Sequence, residues 1–176
     1  MKIIRSAILI ALSLMVLGVS AEAQRTRRPA KRTPVPKVVK TPAPAFGDLK
    51  VAREKVANQI ENVSKFRAIL GPVGKSIEDF EREAKSKKLS KAAFDANELN
   101  KRKVIQAIRN LRAGLAALEV DFRTKAPLSR YLVNIQGITE LSARSEDLAL
   151  AGRFTDAATP LSGIIDKLNT TQTAMK

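Results

Sequence analysis

The sequence contains no cysteine, no histidine, no tryptophan and a single tyrosine. Each absence closes a class of chemistry. Without cysteine there is no disulfide framework, no thiolate nucleophile, no lipidated cysteine anchor and no zinc site of the usual kind. Haem-binding four-helix bundles need histidine or cysteine ligands, so that function is closed as well. Histidine is also the commonest general acid or base near neutral pH. Neither a Ser-x-x-Lys nor a Gly-x-Ser-x-Gly nucleophile motif occurs, nor an Asp-x-Asp-x-Asp-Gly calcium loop. Six phenylalanines and one tyrosine are too few to line a sugar-stacking cleft. The carboxylate clusters Glu78-Asp79-Glu81-Glu83 and Glu146-Asp147 therefore read as solvated helix faces rather than as a glycosidase pair. No catalytic residue, metal ligand or cofactor site is assigned, and the chain reads as non-enzymatic.

Positive charge is abundant. The 176 residues carry a formal net charge of +15, which points to an anionic partner or surface rather than to any fold. Lys2 and Arg5 open the chain, and a mostly apolar run from Ala7 to Val19 follows. Ala21-Glu22-Ala23 then has the small residues of an export-signal cleavage site, between Ala23 and Gln24. The apolar run is about 13 residues long, short of the roughly 20 that span a bilayer. Residues 1–23 are expected to be a signal peptide, which places the protein in the periplasm or outside the cell.

From residue 24 to residue 46 the composition changes. Arg25, Arg27, Arg28, Lys31, Arg32, Lys37 and Lys40 bring charge without one carboxylate, and five prolines interrupt any regular element. Such a segment buries too little apolar surface to offset its ordering entropy, and extends at about 3.1 Å per residue. It reads as a disordered polycationic arm for an anionic envelope surface or acidic polymer, or as a spacer.

Residues 47–176 show no strand period and no hairpin signal. Val104, Ile108, Leu111, Leu115, Leu118 and Phe122 alternate steps of four and three, one stripe of a long helix from Lys91 to Thr124 capped by Ser90. Leu111 and Leu115, mid-stripe, are expected to be fully buried. A first helix is expected from Leu49 to Leu70, capped by Asp48 and stopped by Gly71-Pro72. A short helix from Ile77 to Lys87 follows, with Ser76 and Asp79 at capping-box spacing. A third helix runs from Leu128 to Ala151, where Gly152 breaks it. The last begins either near Phe154, capped by Thr155, or at Pro160, and the stripe favours the earlier start. Short connections make sequential helices antiparallel neighbours. The fold class expected is all-α: an up-and-down bundle of four main helices plus one short helix. The alternative is a central helix that projects as part of a hairpin arm.

Two motifs reduce to simpler readings. Gly71-Pro72-Val73-Gly74-Lys75-Ser76 is two residues short of a phosphate-binding loop and follows a helix instead of a strand. Gly152 to Ala157, with Leu161, resembles the second half of a tetratricopeptide repeat, yet no second copy exists and stacking needs about three. A tight helix hairpin accounts for it. Lys85, Lys87, Lys88 and Lys91 gather at one junction, and Arg102, Arg109 and Arg112 near one face of the central helix. They read either as solvated charge or as an extension of the arm's footprint. Nucleic acid is disfavoured because no aromatics interleave with these cations. A protein client, held by a periplasmic chaperone or adaptor, is a second class the composition allows, and a membrane-surface or nucleic-acid binder driven by charge alone is a third.

Overall fold

A computed structural model describes residues 46–176, so the signal-peptide and arm residues lie outside the description. The described chain is all-α. Helix α1 spans Phe46–Ala84 and α2 spans Lys91–Thr124, at 39 and 34 residues the two longest elements. A 3₁₀ turn at Ser129–Tyr131 leads into the four-residue α3 (Leu132–Ile135). Helices α4 (Ile138–Leu150) and α5 (Ala158–Ala174) complete the fold. Four main helices and one short one are present, but the short one lies between α2 and α4 rather than at residues 77–87.

The continuity of α1 corrects the expected stop at Gly71-Pro72. Val56, Val63, Leu70 and Ile77 recur every seven residues, and each is buried. This apolar period runs straight through the proline, so breaking the helix would expose Ile77. Interior proline costs about 3 kcal/mol, partly because the carbonyl four residues earlier loses its donor. Here that residue is Ala68, which is exposed, as is Pro72 itself, so water can satisfy the carbonyl. Burying Leu70 and Ile77 is worth about 1.5–3 kcal/mol each, enough to carry the helix through. The Ser76–Asp79 pair is therefore mid-helix, and Asp48 lies in the first turn instead of at the cap.

The other long helix has the expected bounds, with the Ser90 hydroxyl accepting from the Ala93 N–H. Leu115 is fully buried, whereas Leu111 is only partly covered. The reason lies in its flanks. Arg109 and Arg112, either side of it in the sequence, both reach across to Glu146 of α4, and Leu111 packs against the edge of the core rather than inside it. The expected third helix is broken at Gly137, whose φ of 86° suits glycine alone. The last helix starts at Ala158, between the two expected positions. Pro160 thus falls in its first turn, where an N–H would lack an intrahelical partner anyway. Phe154 and Ala157 are nonetheless buried, packing from the loop.

Cross-helix bonds set the direction of each element. Lys55 pairs with Asp121 and Lys101 with Glu81, so α1 and α2 form an antiparallel hairpin. Glu119 of α2 binds Gly137 and Thr139 at the start of α4, and Glu146 further along α4 meets Arg109 and Arg112. Helix α4 therefore runs back along α2 toward the hairpin's turn. The α4–α5 loop meets α1 at Gly74 and Glu78, and α5 returns along α1 to contact α3. The result is an up-down-up-down bundle. Because α4 and α5 are less than half as long as their partners, the α1–α2 hairpin projects past them.

Candidate interaction surface at the hairpin end

Burial fades toward the projecting end. After Ile77 on α1 and before Asn97 on α2, no residue is buried. From Lys91 to the first core residue of the α2 stripe, Val104, there are about 20 Å of helix at 1.5 Å per residue. Two apolar rings hold this end together. Phe80 of α1 and Phe94 of α2 meet edge to face with centroids 5.5 Å apart, a favoured aromatic geometry. Phe94 is still 43% exposed, so its outer side is in water.

At the turn between them the charge is of one sign, although Asp79 and Glu81 flank Phe80 and the exposed Asp95 follows Phe94. Lys85, Lys87, Lys88 and Lys91 are all exposed, and no carboxylate lies between Glu83 and Asp95. Lys87 pairs with Glu83 across one helical turn, and that contact holds its charge on by raising its pKa. Surface pairs of this kind are weak. Among the described residues, Lys85, Lys88 and Lys91 have no acidic partner within ion-pair distance. Lys101, at the base of the projection, is clamped between Glu81 and Glu98. Burial opposes its charge, and the two carboxylates more than offset that.

The other sequence-level candidates are used by the fold. Glu78 accepts from the N–H and hydroxyl of Thr155, both at 2.8 Å. Asp79 bridges Lys75 and Arg82, which also accounts for the lysine of the loop-like Gly71–Ser76 stretch. Arg109 and Arg112 do not form an open cationic face with Arg102: they converge on Glu146, at 2.7 and 3.1 Å. The expected cleavage site at Ala23 and Gln24 and the basic residues from Arg25 to Lys40 lie outside the described residues.

Sequence reasoning missed Glu119. It is largely buried beside Leu118 and Phe122, and accepts from the N–H groups of Gly137 and Thr139, the Thr139 hydroxyl and Arg123. Burial alone would raise this carboxyl, but the four donors outweigh it and hold the pKa below the ordinary value. The N-cap residue of α4, Gly137, has no side chain, so a carboxylate from another helix does the capping. Its signal in the sequence was an acid inside the apolar stripe. A wide shallow depression of about 630 Å³ lies over these residues, lined by Arg112, Glu119, Arg123 and Glu140 among others. Its central carboxylate is already fully engaged. Among the described residues no helix is long and apolar enough to cross a membrane. No protein-family model, curated protein or solved structure matches this chain.

Proposed function

We propose that this chain is an exported, non-enzymatic binding protein of the cell envelope that meets an anionic surface or acidic polymer. The polycationic arm from Arg25 to Lys40 would supply long-range attraction, and the helical bundle a rigid contact. The observation that carries this reading is the run of exposed lysines, Lys85, Lys87, Lys88 and Lys91, at the end of the projecting α1–α2 hairpin. A basic arm alone would serve equally well as a spacer. A second basic feature on the folded part, held away from the core, supports a two-point cationic footprint. Each lysine or arginine near an acidic surface contributes up to about 1 kcal/mol, and salt screens that attraction.

Two measurements test the reading. Amino-terminal sequencing of protein from the producing cells is expected to begin at Gln24; intact Met1 in a membrane fraction would remove the export proposal. A chain beginning at Gly47 is expected to keep its helical circular dichroism and melting temperature while losing most adsorption to acidic vesicles or heparin. High salt should abolish the adsorption of the longer form. Binding that is indifferent to salt would overturn the electrostatic mechanism. The exposed Phe94 ring supports a second reading, a chaperone or adaptor that holds protein clients at the hairpin end, for which client-stoichiometric suppression of aggregation is the diagnostic result.

A further inference from the structure

We infer that the α1–α2 turn is a proteolytic processing site in the folded bundle: an endopeptidase that accepts lysine ahead of the scissile bond cuts after Lys87 or Lys88, and the two resulting chains stay joined. The inference does not depend on the anionic-surface reading above. The step adds one water across a peptide bond, leaving a carboxylate on the lysine and an ammonium on the residue that follows. No other reactant is needed.

A folded chain is cut where its backbone can be drawn into an extended strand without opening the core. The turn meets that condition. Lys87, Lys88 and Ser90 are exposed, and the N–H groups of Lys88, Leu89 and Ser90 make no backbone hydrogen bond. Ser90 is already extended, with φ −73° and ψ 150°. Fraying the two helix ends also leaves the core intact, because no residue between Ile77 and Asn97 is buried. The edge-to-face contact of Phe80 with Phe94 is what fastens this end.

The other connections carry basic residues too, but each is pinned. Lys125 donates its backbone N–H to the Asp121 carbonyl and pairs with that residue's carboxylate. Pro127 and the buried Leu128 follow it closely. Arg130 directly precedes the buried Tyr131, and Arg153 directly precedes Phe154, which is 1% exposed. Extending the chain at either place would pull a ring out of the core. After a cut in the α1–α2 turn, by contrast, both products keep their core residues. Val56, Val63, Leu70 and Ile77 lie before the cut and belong to one buried cluster with Leu115, Phe122 and others after it. Packing thus holds the two chains together without a peptide link.

The test is limited digestion of the full chain with endoproteinase Lys-C and, separately, with trypsin, read by intact-mass spectrometry. Cuts before residue 46 give other masses and are counted apart. The first cut within residues 46–176 is expected after Lys87 or Lys88. The products should co-elute on size exclusion and keep the helical circular dichroism. Replacing four lysines together (K85Q, K87Q, K88Q and K91Q) should preserve the fold and slow cutting by Lys-C in this range at least about tenfold, because the accessible bonds are gone. Phe94→Ala should leave the cut site unchanged and speed cutting about two- to tenfold, since cleavage follows the population of the opened end and the ring pair holds that end shut. A first cut elsewhere in residues 46–176, or an unchanged rate in the four-lysine variant, would overturn the site. Products that separate on the column would overturn the joined two-chain form. An unchanged rate in Phe94→Ala would overturn the ring pair as the fastening.

Discussion

Gly74 of α1 lies directly against the backbone of Phe154 in the α4–α5 loop. A Cβ at residue 74 would stand 2.9 Å from the Phe154 carbonyl carbon, closer than side chains pack. Four residues on, Glu78 binds both the N–H and the hydroxyl of Thr155. The loop is thus seated on α1 by a close approach and a two-pronged carboxylate contact. This seat marks where the four-helix bundle ends and the bare hairpin begins.

Two glycines on the same helix should respond to different degrees. Gly74→Ala is expected to destabilise by about 1–3 kcal/mol, because the obstruction is backbone and cannot rotate away. At Gly71 nothing beyond its chain neighbours lies within 4 Å of the added carbon, but a Cβ there meets the ring of Pro72, which disfavours helical backbone in the preceding residue and offsets the gain in helix propensity, so Gly71→Ala should change stability by under about 1 kcal/mol. Urea denaturation of both variants checks the difference. Equal effects would mean that the loop does not sit at Gly74.

The α2 stripe offers a graded comparison. Leu115→Ala is expected to cost about 2–5 kcal/mol, since its side chain is fully enclosed. Leu111→Ala should cost about 1–2 kcal/mol, in line with partial burial. Arg109→Ala should destabilise, because it takes one of two partners from the shielded Glu146 carboxylate. Its loss should exceed that of Arg102→Ala, whose side chain has no acidic partner among the described residues.

Acid sensitivity should centre on two carboxylates. The donors around Glu119 lower its pKa against the effect of burial. Hydrogen bonding from Arg109, with help from Arg112, does the same at Glu146. A carboxyl with a folded pKa below its unfolded one stabilises the fold above the unfolded value and loses that contribution as pH falls through the folded value. Stability is therefore expected to be flat near neutrality and to decline below about pH 5. Glu119→Gln should be less stable at pH 7 and show a shallower acid limb, because the titrating group is gone. An unchanged acid limb would mean that other groups carry the effect.

The sequence by itself determined the helical class, the bounds of α2 with its Ser90 cap, and the break at Gly152. These depend on local chemistry: a 3.6-residue apolar period, a hydroxyl at an N-cap, and a glycine with φ of 78°. It also displayed the lysines at residues 85–91, though not their position in space. Local rules failed where distant surfaces outweighed them. Gly71-Pro72 is a stop signal within its own neighbourhood, yet burial of Leu70 and Ile77 carries α1 through it. Gly137 splits the expected third helix because Glu119, eighteen residues away, caps the new start. Glu78, Arg109 and Arg112 read as solvated charge, and each acquires a partner more than thirty residues distant. Only the tertiary structure decided that α4 and α5 stop short of the hairpin's end. The lengths of the helices were partly legible, but which stretch each one covers depends on packing between residues far apart in sequence. That uncovered end is what leaves Phe94 and four lysines exposed.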